Sequence, residues 1–177
     1  MKISVVFLIA TVIGMTSSAS SYAAGWNADI FAGKQKLDNT HRGRSQGVRI
    51  SKQVTPRTSV GFEVGYNKNK HSHSNPNYIT GTTAMLTSKY NFVNYGRFQA
   101  YGGVGLGFAR VRNNNHRDTV AAGQLSLGAR VAVTRRSGLF LEARHLDTFN
   151  HPKVGGASGT GVKYQGNSVV LGWSYKF

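Results

Sequence analysis

The sequence predicts an all-β protein, an eight-stranded antiparallel up-and-down transmembrane β-barrel. The first observation is that apolar and polar residues alternate with a period of two through residues 24–177, where no window shows a sustained helical stripe. The second is that long and short polar connections alternate between the predicted strands, as in bacterial membrane barrels. The third is composition: 19 aromatic residues argue against disorder, and the absence of cysteine excludes disulfides and thiolate metal sites.

Residues 1–23 are predicted to be a secretory signal peptide. Lys2 supplies the positively charged N-terminal region, residues 3–15 form an apolar run of 13 residues, and Ser21 and Ala23 are the small residues expected before a cleavage site. Thirteen helical residues span only ~20 Å, short of the ~30 Å hydrocarbon core, which argues against a membrane anchor. The predicted barrel domain is therefore residues 24–177, and loss of Lys2 lowers the formal net charge from +16 to +15.

Eight strands account for the alternation. In the third, Val60, Phe62, Val64 and Tyr66 share one face, while glycine, glutamate and asparagine occupy the other. The fifth, sixth and eighth strands alternate as strongly, and the remaining four alternate more weakly. In chain order the predicted strands are 25–33, 47–52, 60–67, 78–90, 98–108, 124–133, 138–146 and 168–177.

The predicted connections alternate in length. Long polar loops are expected at 34–46, 67–77, 110–118 and 147–163, and shorter turns at 52–58, 91–96 and 134–137. In membrane barrels the long loops are extracellular and the short turns periplasmic, so the same topology is expected here.

Alternation alone does not decide whether the apolar face points inward, as in a soluble barrel, or outward to lipid. Two features favour the membrane orientation. Aromatic residues lie at strand ends, where interfacial girdles form, and the chain ends on a strand. The aromatic residues concerned are Tyr66, Tyr78, Tyr90, Phe98 and Phe108.

The final strand places Trp173, Tyr175 and the terminal Phe177 at steps of two, and resembles the signal read by the outer-membrane barrel insertion machinery. The chain resembles the small outer-membrane β-barrel family of OmpX, OmpW and opacity-type surface proteins, best over residues 98–177. The resemblance implies an outer-membrane protein of a Gram-negative bacterium, with extracellular loops and with the insertion machinery and outer-membrane lipids as partners. The resemblance indicates the fold more strongly than it indicates an activity, because one fold serves many functions. The matching stretches are Tyr101–Arg110, Leu127–Val131, Leu141–Asp147 and Asn167–Phe177.

Charged residues within the predicted strands fall on the polar face, and we expect them to form a packed network inside the barrel. A base facing lipid at mid-membrane costs ~2–4 kcal/mol, which interior pairing avoids. Glu63 and Glu142 are expected to pair with Arg130, Arg144 or Arg49. The predicted network comprises Asp29, Arg49, Glu63, Arg130, Glu142 and Arg144.

Most remaining bases fall in the predicted long loops, which predicts a positive field that attracts polyanions. Lipopolysaccharide phosphates are the nearest candidates, and anionic host glycans are a second class. A monomer displaying basic loops, acting as a surface antigen or in surface interaction or membrane integrity, is the expected function. The predicted polyanion-binding residues are Lys34, Lys36, Arg42, Arg44, Lys68, Lys70, Arg110, Arg112 and Arg117.

Two other functions stay open from the sequence: a narrow porin-like channel and a barrel resembling the lipid A deacylases. Those enzymes carry a His-x-Ser pair with a later Glu. Here His145 is present, but Asp147 stands at the serine position and no glutamate follows Glu142. A serine nucleophile needs an adjacent base and an orienting group. We therefore predict no catalytic residue, no cofactor and no metal site.

Overall fold

The computed structural model describes residues 25–37, 43–70, 78–113, 116–149 and 164–177; the predicted signal peptide lies outside them. Each strand pairs with its neighbours in sequence, and β1 also pairs with β8, which closes the barrel. The predicted eight-stranded antiparallel barrel is thus confirmed. No helix among the described residues is long and apolar enough to cross a membrane. The strands are β1 (Trp26–Leu37), β2 (Gly43–Gln53), β3 (Thr58–Lys70), β4 (Tyr78–Tyr95), β5 (Phe98–Asn113), β6 (His116–Ala132), β7 (Ser137–Thr148) and β8 (Gly166–Lys176).

The strand pairing is staggered around the barrel. A path through paired residues that starts at Leu37 returns to β1 at Asn27, ten residues along the same strand. Such a stagger requires strands tilted by about 35–45° to the barrel axis. Rows of cross-strand neighbours therefore wind along the wall and do not form level rings. The path runs through Leu37, Gly166, Leu146, Gln124, Gly105, Thr87, Gly61, Ser51 and Asn27.

The strands are longer than the sequence predicted. Residues 34–37, 43–46, 67–70, 110–113, 116–118 and 147–148, which were expected in loops, belong to strands. At the other end β4 continues to Tyr95, so that only Gly96 and Arg97 separate it from β5. The prediction was wrong because backbone pairing continues after the outer face has changed from apolar residues mostly to bases, beyond the point where apolar alternation stops.

The apolar face of the strands points outward. Leu86, Leu106 and Leu127 on the outside are 62–63% exposed, whereas Glu63 and Glu142 on the inside are at most 1% exposed. The outward side of a soluble barrel is polar and its interior apolar. The arrangement here is the inverse, and it matches a barrel whose wall contacts lipid.

Aromatic rings inside the barrel lie against glycines of neighbouring strands. A Cβ atom added to Gly47 would lie 2.5 Å from the ring of Phe31, and one added to Gly128 would lie 2.7 Å from the ring of Tyr101. Real side chains do not tolerate such distances. These glycines therefore provide the space that lets large rings fit within a narrow eight-stranded lumen.

Candidate functional site

The middle of the lumen holds a cluster of six charged side chains, which we call the interior charge cluster: Asp29, Arg49, Glu63, Lys89, Glu142 and Arg144. Each comes from an inward position of its strand. Three carboxylates and three bases balance one another, so the cluster carries no formal net charge. Such balance is needed because an unpaired buried ion costs several kcal/mol.

Arg49 lies at the centre of the cluster and contacts all three carboxylates. Its Nε donates to Asp29 at 2.9 Å, and one terminal nitrogen donates to Glu63 at 3.0 Å and to Glu142 at 3.3 Å. The side chain is 1% exposed. A guanidinium suits this position because its five donors can satisfy several carboxylates at once.

Glu142 is the second centre. It accepts hydrogen bonds from Lys89 Nζ at 2.5 Å, from Arg144 Nε at 2.6 Å and from the Tyr101 hydroxyl at 2.8 Å. Arg144 continues the network to Glu63 at 3.0 Å. These charge-assisted hydrogen bonds link β1, β2, β3, β4, β5 and β7 across the lumen.

The predicted network differs from the observed one at a single base. Arg130 faces the lumen, but its guanidinium donates to the Ser174 hydroxyl and to none of the carboxylates in the described residues. Lys89, which the face assignment had also placed inside, takes part in the cluster instead. Alternation identifies inward side chains, whereas the stagger of the strands decides which of them meet.

Aromatic rings flank the cluster. The Arg144 guanidinium carbon lies 3.9 Å from the centre of the Phe31 ring, and that of Arg49 lies 5.5 Å from the Phe140 ring. Lys89 Nζ lies 4.2 Å from the Tyr101 ring. These cation–π contacts hold the bases in place on the sides where no carboxylate lies.

The cluster divides the lumen into two cavities that share no lining residue among those described. The cavity on the side of the short turns has a volume of about 230 Å³, and the one on the side of the long loops has about 20 Å³. Arg49 and Glu142 line neither cavity. The cluster therefore fills the middle of the lumen and blocks it between the two cavities.

An apolar cluster lies at the loop end of the lumen beside buried polar side chains such as Gln35 and Asn67, and the sequence analysis had not predicted it. Ile79, Met85, Val111 and Val120 are buried there together with Tyr164, which precedes β8. Burial raises the pKa of Tyr164 to about 12. Of these residues, Val111 had been assigned to a loop, and the others were overlooked because they come from separate parts of the chain that only the closed barrel brings together.

The predicted polyanion-binding bases lie mainly on the outer wall of the strands. Lys34, Lys36, Arg44, Lys68, Arg110, Arg112 and Arg117 are exposed strand residues, so their assignment to loops was wrong. Each is followed or preceded along its strand by inward neighbours, which places its own side chain outside the barrel. Arg42 and the side chain of Lys70 lie outside what the structure describes.

Five of these bases lie in one cross-strand row, which we call the basic row. Lys34 is paired with Arg44, Arg44 with Lys68, Lys68 with Thr80, Thr80 with Arg112, and Arg112 with Arg117. Residues directly opposite on adjacent strands have Cα atoms about 4.5–5.5 Å apart. The row thus joins six strands, and it contains no carboxylate.

The basic row begins where the apolar outer surface ends. On β3 Tyr66, 41% exposed, is two residues from Lys68, and on β5 Phe108, 62% exposed, is four residues from Arg112. On β1 Ile30 precedes Lys34 by four residues. A boundary between apolar wall and bases is the arrangement expected at the level of lipid headgroups.

His145 has no nucleophile beside it in the described part of the chain. Its Nδ1 lies 2.7 Å from Asn167 Oδ1, and its Nε2 lies 3.5 Å from the Gln165 amide nitrogen. Neither partner can serve as a nucleophile in acyl transfer. Within the described residues no group of three or more histidine, aspartate or glutamate side chains is arranged to hold a metal ion.

The three residues of the predicted insertion signal all point outward, two from β8 and Phe177 from the position directly after it. Trp173 is 40% exposed, and Tyr175 and Phe177 are each 42% exposed. The backbone of Phe177 exchanges two hydrogen bonds with Trp26, of 3.0 and 3.1 Å. The last residue of the chain therefore closes the seam between β8 and β1.

The model of a sequence family, described as outer membrane protein beta-barrel domain, matches residues 5–177. Neisserial surface protein A (NspA) has a similar structure, with a TM-score of 0.68 and 16% identity over 90% of this chain and 100% of its own. The outer membrane protein OprG from Pseudomonas aeruginosa has a TM-score of 0.57 and 16% identity, over 87% of this chain and 96% of its own. Ail of Yersinia pestis, in complex with the heparin analogue sucrose octasulfate, has a TM-score of 0.54 and 12% identity, over 87% of this chain and 99% of its own. No curated protein matches the sequence.

Proposed function

We propose that this chain, which belongs to the outer membrane protein beta-barrel domain family, is a non-enzymatic surface protein that binds polyanions along the basic row. The family places the barrel in the outer membrane of a Gram-negative bacterium. The loop end is then extracellular, as in other outer-membrane barrels. The polyanions are lipopolysaccharide phosphates next to the wall and anionic host glycans above it.

The basic row is the observation that carries the proposal. Like charges directly opposite on neighbouring strands destabilise a sheet. Lys34 opposes Arg44 and Arg44 opposes Lys68, so that this repulsion is repeated along three neighbouring strands. An anion with several charged groups that lies along the row relieves the repulsion at every pair.

The position of the row supports lipid phosphates as the first class of partner. Because the row starts two to four residues beyond the apolar outer wall, its bases reach the headgroup region from strands fixed in the membrane. Lys68 Nζ also lies 4.2 Å from the centre of the Tyr78 ring, a contact that holds the ammonium group at the wall.

Glycans are supported by the fold and by charge. The Ail protein, which has the same kind of barrel, binds a sulfated heparin analogue. Exposed charge pairs contribute only ~0–1 kcal/mol each, so binding has to be multivalent. A row of bases on rigid strands is suited to this, because it loses little conformational entropy on binding.

The experiment measures retention of the purified barrel on heparin and on lipopolysaccharide at ~0.1 and ~1 M salt, where the Debye length falls from ~10 to ~3 Å. Replacing Lys34, Arg44, Lys68 and Arg112 with glutamine should lower affinity about tenfold or more, while the barrel stays folded. Retention that does not depend on salt would contradict an electrostatic site.

A matched pair of variants tests position against net charge. Arg44→Gln with Lys68→Gln removes two bases from the loop end of the β2–β3 hairpin. Lys52→Gln with Arg57→Gln removes two exposed bases from the turn end of the same hairpin. Only the first pair should weaken binding to lipopolysaccharide. Equal losses in both would show that overall charge, and not the basic row, is responsible.

A further inference from the structure

The cavity at the turn end of the lumen, which we call the turn-end vestibule, is a second basic site unrelated to the basic row. Its volume is about 230 Å³. Its floor includes Asp29, Lys89 and Phe140 at the edge of the interior charge cluster, and its mouth is formed by the turns at 96–97 and 133–136. A cavity of ~150 Å³ accommodates benzene, so the vestibule is large enough for a small ion with its partners.

The charge of the vestibule is strongly one-sided. Six bases line it: Lys89, Arg97, Arg130, Arg135, Arg136 and Lys176. Lys89 is bound to Glu142 of the cluster, and Asp29, the one carboxylate among the described lining residues, is bound to Arg49. The other five bases have no carboxylate partner in the described part of the chain.

The donors in the walls suit an oxyanion. Arg130, inside the barrel, is held by a hydrogen bond to the Ser174 hydroxyl, which fixes the guanidinium against the wall. Hydroxyl and amide groups complete the lining, among them Ser51, Gln53 and Gln99. Guanidinium groups bind phosphate and carboxylate groups through paired hydrogen bonds, and a confined site with low-dielectric walls concentrates their field.

We propose that the turn-end vestibule binds a small, multiply charged oxyanion of the phosphate class. A whole glycan chain or lipid is larger than the cavity, whereas a small ion fits inside it, so the ligand proposed here differs from the partners of the basic row. Five bases of like charge line the one cavity, and a multivalent anion is the species that relieves their mutual repulsion most effectively. The interior charge cluster separates the two sites, so ligands can occupy them independently.

The test is isothermal titration of pyrophosphate into the purified full chain in detergent micelles at low salt, with chloride and citrate in parallel. Pyrophosphate should bind, chloride should not compete at equal concentration, and citrate should bind more weakly. Arg130→Gln with Lys176→Gln should weaken pyrophosphate binding about tenfold or more. Lys52→Gln with Arg57→Gln, which removes two exposed bases from the same end of the barrel that do not line the vestibule, should leave it unchanged.

Two further measurements keep the result decisive. If the Arg130 and Lys176 double variant does not fold, a second variant replaces it. Arg97→Gln with Arg135→Gln removes two exposed bases at the mouth of the vestibule and should also weaken pyrophosphate binding. Backbone resonances of Ser174 should shift on titration, while those of Thr83 at the loop side should not. No binding by the wild type, equal loss in the Lys52 and Arg57 double variant, or tighter binding of citrate would each overturn the proposal, whatever the outcome for polyanions at the basic row.

Discussion

Arg49 is the side chain on which the interior charge cluster depends, because its guanidinium contacts Asp29, Glu63 and Glu142. Its partners come from three strands, and Glu142 is 93 residues away in sequence. The pairs are almost completely buried. Removing one member of a pair would leave its partner as an uncompensated buried charge, which lowers stability far more than an unpaired exposed charge does.

Replacing Arg49 with glutamine should destabilise the barrel by about 3–5 kcal/mol, because three carboxylates would then face two bases. The measurement is urea unfolding of the barrel in lipid vesicles. Arg57→Gln is the matched control: it removes the same group from an exposed turn, where its guanidinium contacts the Tyr90 hydroxyl at 3.5 Å, and should leave stability nearly unchanged. Similar effects of the two substitutions would show that the cluster does not hold the strands together.

The β4–β5 hairpin depends on one glycine. Gly96 has a φ of 56° in the two-residue turn between Tyr95 and Phe98. Tight hairpin turns use a residue in this left-handed region because its twist matches that of the strands. An alanine at this position would meet no atom within 4 Å, so its cost is conformational and not steric.

Gly96→Ala should therefore lower the free energy of unfolding by about 1–2 kcal/mol. Gly102→Ala is the control, since Gly102 has no positive φ and an added Cβ would lie 3.9 Å from its nearest neighbours. That variant should be neutral or slightly stabilising. Both are read from unfolding curves in the same vesicles. Equal destabilisation would point to strand propensity and away from turn geometry.

The closing strand combines two roles at its last residue. The Phe177 backbone seals the seam to Trp26, while its ring projects outward beside the ring of Tyr175, at a centroid distance of 6.0 Å. A substitution that keeps the backbone separates these roles. Such a substitution tests the ring as part of an insertion signal while the backbone hydrogen bonds to Trp26 keep the barrel closed.

Phe177→Ala should reduce the amount of barrel in the outer membrane of cells, while the purified variant should still refold in detergent. Phe98→Ala is a matched control, because Phe98 is also an outward ring, 42% exposed, at the turn end of a strand. Immunoblots of membrane fractions provide the measurement. Normal levels of the Phe177 variant, or equal losses for both, would argue against an insertion role.

At the scale of the whole molecule, the two ends of the barrel differ. One end has the turns 54–57, 96–97 and 133–136, and the other has the connections that include residues 38–42, 71–77, 114–115 and 150–163. The proposed topology places the second end outside the cell. Protease added to intact cells should cut, where it cuts at all, in those four connections and leave the turns intact. Mass spectrometry of the fragments locates the sites, and cleavage confined to the turns would invert the topology.

Much of the fold could be predicted because strand periodicity is local. Alternation placed Asp29, Arg49, Glu63 and Glu142 on one face without knowledge of which strands are neighbours. It failed at strand ends, where Lys34 and Arg112 were assigned to loops although backbone pairing continues. The candidate site was only half predicted, since the bases were identified but the basic row was not.

The sequence alone determined that the chain alternates, that it has eight strands, and which side chains share a face, because each of these depends on residues close together along the chain. The tertiary structure decided that Lys89 and not Arg130 reaches Glu142, and that Lys34, Arg44 and Lys68 stand side by side. These depend on closure and on the ten-residue stagger between strands. A stagger is a property of all eight pairings together, and no single segment of the sequence encodes it.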